Sequence, residues 1–303
     1  MLSRFENHGL VWVDLESPSR EEVETVVKEF HINHVIGEEL LLPSTKPRAE
    51  FYEGYVYAIM HFPALRHSHK SREQEVDFII GRNFIITARY DIVDSLHKFS
   101  KIVEVNSILD KSSLGEHAGF LFFAMLLRLY KAIEHETEYI RHDLAVIEEH
   151  IFSEHEIQMV SAISRAARDL LNLRQTIEPH RDVLHELETG GARLFGDDFL
   201  PYLRMLSNEY YRVHNHIMRN TESLHELRET NNSLLSTKQN ETIKVLTIMA
   251  FVTFPLALIA SVLAIDAPGT PFVNTPYGFW IITGIMASAA TCMFLYFRRR
   301  KWL

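Results

Sequence analysis

Two uncharged apolar stretches near the carboxyl end dominate the hydrophobic pattern of the chain. Residues 245–265 form a run of 21 residues, and residues 279–297 form a run of 19, without Asp, Glu, Lys or Arg. A helix needs roughly 20 such residues to cross the hydrocarbon core of a bilayer. The pattern therefore predicts two transmembrane helices, and it disfavours the alternative of a buried helical hairpin in a soluble core.

The first 114 residues contain four short strand-like runs separated by turn residues, at positions 10–15, 55–62, 75–80 and 83–89. Gly81, Arg82 and Asn83, at the junction of the last two runs, predict a tight hairpin turn. Ser17 or Ser19 is the expected cap of a first helix, and Glu22 follows Ser19 at the spacing of a capping box. We therefore expect an α+β domain with helix–sheet–helix layers.

Long helices are predicted after residue 114, because charged residues recur there with helical spacing. The expected spans are 115–151, 155 to about 188, and about 198–265, with a break at Gly190 and Gly191. The third helix would run unbroken into the first apolar stretch, over 68 residues or roughly 100 Å. Its apolar stripe is narrow, so it needs partner helices from its own chain or from identical subunits. The stripe comprises Leu203, Leu206, Tyr210, Val213, Ile217, Leu224, Leu227, Leu234 and Leu235.

The predicted organisation, in chain order, is an α/β domain (1–114), long helices (115–197), a stalk helix (198–244), a first transmembrane helix (245–265), an outer loop (266–278), a second transmembrane helix (279–297) and a basic tail (298–303). Positive residues border both spans on one side, whereas the outer loop has no Lys or Arg. By the positive-inside rule, both termini are expected in the cytoplasm of a cell whose inner or plasma membrane holds the protein. The amino terminus has no apolar signal region, so we expect that the body is not exported.

The charge of the chain is unevenly distributed. The net charge is −9, and residues 1–244 hold 39 acidic against 27 basic side chains. This balance argues against nucleic acid as a partner and would concentrate cations near the inner end of a pore. The single cysteine, Cys292, excludes an intramolecular disulfide framework and a Cys-rich zinc site. The sequence has no phosphate-binding loop, dinucleotide fingerprint, nucleophile elbow or zinc-protease motif, so neither enzyme activity nor a resident cofactor is predicted.

A sequence motif at the start of the first apolar stretch carries a family resemblance. Residues 244–256 read KVLTIMAFVTFPL and continue as ALIASVLAID, and the chain ends in RRRKWL. Together with the order of the elements, these residues resemble the CorA family of divalent-metal channels. The resemblance implies a homopentamer surrounded by membrane lipid, in which the first span of each copy lines one central pore. It also implies a divalent metal ion as the transported species, with Mg²⁺, Co²⁺, Ni²⁺ and Zn²⁺ as candidates.

The chain departs from this family at the outer end of the first span. The family signature there is Gly-Met-Asn, or Gly-Ile-Asn in the ZntB zinc-transport branch. The corresponding residues here are Ala264, Ile265 and Asp266. A ring of asparagines offers neutral carbonyl dipoles to hydrated Mg²⁺, whereas a ring of Asp266 side chains would present up to five mutually repelling carboxylates. We therefore expect that the ion selectivity is altered.

Spacing predicts which face of the first span lines the pore. Residues spaced three or four apart lie on one face of a helix, and one such set, here called the pore register, combines amide, hydroxyl, small and large apolar side chains. Large apolar rings at Ile243 and Phe254 would close the path by excluding water. The competing interpretation is that these two side chains pack against the second span. The register comprises Asn240, Ile243, Thr247, Ala250, Phe254, Ala257 and Ser261, with Ala264, Ile265 and Asp266 at the mouth.

Two adjacent acidic residues, Asp197 and Asp198, mark the expected start of the stalk helix. Paired carboxylates near a subunit interface favour a divalent cation, and the family resemblance implies cytoplasmic carboxylates that sense the ion. A helix amino terminus also favours acidic residues without any metal, so capping is the competing interpretation.

The lost signature leaves alternative functions open. If the protein has lost conduction together with the signature, it is a membrane-anchored regulatory or structural assembly. A further alternative is zinc or proton-coupled transport as in the ZntB branch, with Asp266 as the titrating group.

Overall fold

The computed structural model describes residues 1–7, 9–44, 46–64, 73–91, 93, 96, 99–101, 117–265 and 276–300. The chain divides into two compact units, Met1–Arg228 and Glu229–Leu303. The first unit contains a mixed β-sheet with helices on both faces, and the second contains two long apolar helical segments.

The sheet has the strand order β1-β2-β6-β5-β4-β3. Strands β2 and β6 are parallel, and the other neighbouring strands are antiparallel. The four predicted strand runs are confirmed, and so is the hairpin between β5 and β6. The edge strands β1 and β3 were not predicted, because they are only six and five residues long and mix charged with apolar residues. The bounds are β1 Leu2–Asn7, β2 Leu10–Glu16, β3 Arg48–Tyr52, β4 Tyr55–Pro63, β5 Glu73–Gly81 and β6 Phe84–Arg89.

Two short helices, α1 (Arg20–Glu29) and α2 (His34–Glu39), cover one face of the sheet. Ser19 caps α1: its backbone N–H donates to Glu22 Oε2 at 2.9 Å, and its Oγ accepts from the Glu22 N–H at 3.3 Å. The capping box is therefore confirmed, with Ser19 rather than Ser17 as the cap. The core beneath these helices joins Val23, Val26, Ile36 and Leu40 to the sheet residues Val13, Leu15, Tyr57, Ile59, Ile79 and Ile86.

Three long helices lie against the opposite face: α3 (Ala118–Phe152), α4 (Glu156–Ile177) and α5 (His180–Phe195). The rings of Phe78 on β5 and Phe122 on α3 meet edge to face at 5.2 Å. The predicted helix–sheet–helix layering is therefore confirmed.

Two of the predicted helix boundaries are wrong. The expected helix over 155–188 is two helices, because Pro179 cannot donate a backbone hydrogen bond and starts α5 as its N-cap. The predicted break at Gly190 and Gly191 does not occur, since α5 continues to Phe195 and ends at Gly196 with φ of +92°. A Cβ at Gly190 would lie 2.3 Å from the Phe51 ring, and one at Gly191 would lie 2.6 Å from Leu203. The glycines therefore serve close packing, and not a chain break.

The stalk helix α6 (Leu200–Leu263) follows a 3₁₀ turn at Asp197–Phe199 and holds 64 residues without interruption, including Pro255. The predicted continuity from the stalk into the first apolar stretch is confirmed. Its apolar stripe is buried from Leu203 to Leu227. The chain itself supplies partner helices there: Asn220 Nδ2 on α6 donates to the Thr137 carbonyl on α3 at 2.8 Å. The last helix, α7, spans Gly278–Arg299.

Candidate ion path

Within the described part of the chain, the end of α6 and the whole of α7 are the two segments long and apolar enough to cross a membrane, judged by length and composition. Within this second unit, the rings of Phe251 on α6 and Phe297 on α7 lie 6.4 Å apart. Ile248 is 7% exposed and Phe297 is 9% exposed, whereas most other apolar side chains of the two segments are open.

The half-buried residues of α6 between Ile248 and Leu263 are Ala250, Val252, Pro255, Leu256, Ile259, Ala260 and Leu263, and all of them except Ala250 lie on the same side of the helix as Ile248. Each residue advances about 100° around a helix, so Phe254 and Ser261 lie on the side opposite Val252. Phe254 is 74% exposed and Ile243 is 51% exposed. The competing interpretation, in which these two side chains pack against the second span, is therefore not realised within one chain.

The predicted pore register thus forms a largely uncovered face of α6. Ala257 and Ser261 are exposed, as is Asn240 near the amino-terminal end of the register, while Thr247 and Ala250 are half-buried. Thr247 Oγ1 donates to the Ile243 carbonyl at 2.8 Å, so its oxygen stays available as an acceptor. The face offers hydroxyl and amide oxygens at intervals, with two large apolar side chains between them. Such a surface suits a hydrated ion, because it provides no set of ligands that would strip the water.

The predicted mouth lies at the end of α6. Ala264 and Ile265 are exposed, and the Ala264 N–H still donates to the Ala260 carbonyl at 3.0 Å. Asp266 and the next nine residues of the predicted outer loop lie outside the described residues. The carboxylate ring therefore remains a prediction.

The acidic pair at the start of the stalk is exposed. Asp197 and Asp198 lie on the 3₁₀ turn directly before α6. Within the described part of the chain, no group of three or more His, Cys, Asp or Glu side chains is arranged to hold a metal ion. A metal at this pair would need ligands from elsewhere, so metal sensing by these residues also remains a prediction.

The charged side chains inside the sheet were not predicted from the sequence. Arg89 at the end of β6 is 3% exposed, and its Nη2 lies 3.0 Å from Asp14 Oδ2 on the parallel strand β2. Thr87 Oγ1 donates to Asp14 Oδ1 at 2.7 Å. The available signal was a charged residue inside an otherwise apolar strand run, which in a sheet covered on both faces indicates a buried ion pair.

The chain matches known proteins over nearly its full length. Residues 7–299 match the model of the CorA-like Mg²⁺ transporter protein family. The cobalt/magnesium transport protein CorA of Thermotoga maritima is 25% identical over 294 residues, which are 96% of this chain and 83% of that protein.

Solved structures share the fold. The CorA magnesium transporter of Methanocaldococcus jannaschii has a TM-score of 0.85 and 19% identity, with 99% of this chain and 93% of that chain covered. The full-length CmaX protein has a TM-score of 0.75 and 18% identity, with 97% and 89% covered. The first unit, the stalk helix and the second apolar helix therefore form one known architecture.

Proposed function

The chain belongs to the CorA-like Mg²⁺ transporter family, and on that premise we propose that it forms a homopentameric membrane channel for divalent cations. In this proposal the uncovered face of α6 lines the central pore. The first unit and the basic residues after α7 lie in the cytoplasm, as the distribution of Lys and Arg around the spans favours.

One observation carries the proposal: the face that holds Ile243, Phe254 and Ser261 is turned away from the half-buried side of α6. Two spans cannot enclose a path by themselves, so several copies must meet around an axis. A mixed polar and apolar face that the described residues of its own chain leave largely uncovered is the face expected at that axis. The number five comes from the family resemblance.

The side chains on this face have separate roles in the proposed pore. Rings of Ile243 and Phe254 form two constrictions, which are 11 residues or about 16 Å apart along the helix. Water leaves such constrictions when they narrow, and this closes the path to ions. The oxygens of Asn240, Thr247 and Ser261 face the water shell of the ion between and beyond the constrictions.

The identity of the ion depends on the outer mouth in this proposal. Ala264 and Asp266 replace the glycine and asparagine of the family signature, so a negatively charged ring takes the place of a neutral one. A charged ring attracts divalent ions more strongly but also slows their release. We therefore propose that the channel passes Mg²⁺, Co²⁺, Ni²⁺ or Zn²⁺ with a selectivity that differs from that of a Gly-Met-Asn channel.

A flux assay in proteoliposomes tests the function. Wild-type protein is expected to pass divalent cations, and Asp266→Lys is expected to abolish the flux because it reverses the charge of the ring. Asn274→Lys, which adds a positive charge elsewhere in the same outer loop, is the matched control and should conduct. The double variant Ala264→Gly with Asp266→Asn is expected to favour Mg²⁺.

The same assay separates the alternatives. If wild-type protein passes no cation under any gradient, the channel proposal is wrong and a non-conducting membrane assembly is favoured. Zinc uptake that responds to the external pH and is lost in Asp266→Asn would favour proton-coupled transport.

A further inference from the structure

A group of polar side chains is buried on the side of the sheet that α1 and α2 cover. Glu75 and Asp77 on β5 are 6% and 1% exposed, and Tyr57 on β4 is fully buried. His61 on β4 pairs directly with Glu75 across the two strands. None of these residues takes part in the proposed ion path, and they lie in the first unit.

Glu75 binds the backbone of Ser44 and thereby holds the segment before β3 against the sheet. The Ser44 backbone N–H donates to both Glu75 oxygens, at 2.9 and 2.7 Å. His61 Nε2 lies 3.0 Å from Glu75 Oε2 and 3.0 Å from the Ser44 carbonyl oxygen. Both of these oxygens are acceptors, so Nε2 carries a hydrogen. In all of these contacts the carboxyl oxygens of Glu75 act as acceptors.

Asp77 has a different set of contacts. Its Oδ2 accepts from the hydroxyl groups of Tyr57 at 3.3 Å and Tyr90 at 3.2 Å. Glu75 stands two residues earlier on β5 and on the same face of the sheet, so two buried carboxyl groups are neighbours there. Asp77 Oδ1 is also buried and has no hydrogen-bond partner among the described residues, so it can carry a proton.

We propose that Glu75 and Asp77 form a proton-binding site that is occupied at neutral pH, and that the bound proton keeps the segment around Ser44 attached to the sheet. With the proton on Asp77, the pair carries a single negative charge, located on Glu75. Loss of the proton places two negative charges side by side in a buried position. Glu75 is then repelled from its position and releases Ser44.

The electrostatics of the site agree with this assignment. Burial, together with the neighbouring charge of Glu75, raises the pKa of Asp77 well above its ordinary value. Burial lowers the pKa of His61, but its hydrogen bond to Glu75 and the attraction between their charges outweigh burial, so the net shift is upward.

The remaining charged groups nearby do not neutralise Asp77. Arg48 on β3 pairs with Glu39 of α2 at 2.5 Å and with Glu50 at 2.7 Å. Glu73, the first residue of β5, accepts a hydrogen bond from Thr176 on α4 at 3.3 Å. The basic side chain nearest to the carboxyl pair among the described contacts is therefore His61, which contacts Glu75 rather than Asp77.

Hydrogen exchange on the full-length protein, measured from pH 6 to 9 and corrected for intrinsic exchange rates, tests the proposal. In the wild type, protection of residues 40–48 should fall with rising pH, by up to about tenfold per pH unit for one linked proton. Asp77→Asn preserves the shape of the side chain but cannot ionise, so the segment should stay protected at alkaline pH. Glu53→Gln, which removes an exposed carboxylate from the turn between β3 and β4, is the matched control and should retain the wild-type dependence.

An infrared measurement detects the proton directly and does not depend on unfolding. Wild-type protein at pH 7 should show the carbonyl band of a buried protonated carboxyl group, and this band should disappear in Asp77→Asn but not in Glu53→Gln. If Asp77→Asn does not fold, disappearance of the band as the pH of the wild type rises supports the assignment. Absence of the band at pH 7, or a pH dependence of exchange that persists unchanged in Asp77→Asn, overturns it.

Discussion

The hydroxyl group of Tyr130 on α3 lies 3.0 Å from Nδ1 of His180 on α5, and both side chains are fully buried. His180 Nε2 lies 2.7 Å from the carbonyl oxygen of His61 on β4. A carbonyl only accepts, so Nε2 carries the hydrogen and Nδ1 accepts from Tyr130. The neutral imidazole therefore joins two helices to the sheet, and each of its ring nitrogens has a partner.

This arrangement predicts a loss of stability in weak acid. Burial lowers the pKa of His180 to about 4, from 6.5 for a free imidazole. The folded state thus binds fewer protons than the unfolded state between these values, and the stabilisation is complete above pH 6.5 and lost as the pH falls toward 4. The loss amounts to about 3 kcal/mol. Chemical unfolding of wild type and His180→Gln between pH 7 and 5 should show a steeper decline for the wild type.

His185→Gln provides the control for this experiment, because His185 lies on the same helix but is exposed. It should keep the wild-type pH dependence. Tyr130→Phe should lower stability by about 1–2 kcal/mol at neutral pH, since it leaves Nδ1 of His180 buried without a donor. Equal pH dependence in wild type and His180→Gln would contradict the assignment of a buried neutral imidazole.

The buried pair of Arg89 and Asp14 predicts a large effect of removing one partner. Arg89→Met leaves the Asp14 carboxyl group buried without its cation, which should cost about 3–5 kcal/mol in the free energy of unfolding. The double change Arg89→Met with Asp14→Leu should recover much of this loss, because apolar replacement of a whole buried pair is often tolerated. Denaturant unfolding measures both.

An exposed ion pair gives the contrast for that prediction. Arg20 Nη1 lies 2.6 Å from Glu38 Oε1, and both side chains are open to solvent. Arg20→Met should therefore have little measurable effect, although the distance is shorter than in the buried pair. Similar losses for Arg20→Met and Arg89→Met would show that burial does not decide the effect.

The adjacent glycines of α5 predict opposite responses to the same substitution. Gly190→Ala directs a Cβ at the Phe51 ring, which is 40% exposed and can turn away, while alanine gains up to about 1 kcal/mol of helix propensity. Gly191→Ala directs a Cβ at Leu203, which is 2% exposed and confined, and should cost about 1–3 kcal/mol by overpacking. Thermal unfolding of the two variants compares them directly, and an equal loss in both would contradict this explanation.

The proposed constriction predicts the effect of shortening a side chain on the uncovered face of α6. Phe254→Ala widens the apolar ring and should raise the flux of divalent cations in the absence of any stimulus, because a wider apolar ring stays wet. Met249→Ala shortens a side chain that is also exposed, but lies on another side of the helix, and should leave the basal flux unchanged. Equal fluxes in both variants would argue against this register.

Much of the fold could be predicted because the strongest signals are long and local. The apolar stretch at the end of α6 and the absence of a break after residue 200 require no knowledge of packing. The edge strand β3 and the course of α5 through Gly190 depend on contacts between distant residues, such as Phe51 against α5. Sequence periodicity carries no information about such contacts.

The candidate pore face was predictable only in part, for a similar reason. The three-to-four spacing identifies Ile243 and Phe254 as members of one face, but it does not show which face is covered. The half-buried residues around Val252 supplied that information. The polar group around Asp77 was not predicted, because a single acidic residue in an apolar strand does not show what faces it across the sheet.

Because α6 is one continuous helix, the directions of the side chains at its two ends are related by the number of residues between them. Without a loop to absorb a change in length, inserting one residue between Glu229 and Ile243 would rotate all later side chains by about 100° relative to the buried stripe. Insertion of seven residues would restore the orientation to within about 20°. The number of residues in α6, and not only their identity, therefore determines the direction in which Phe254 points relative to the other side chains of this helix.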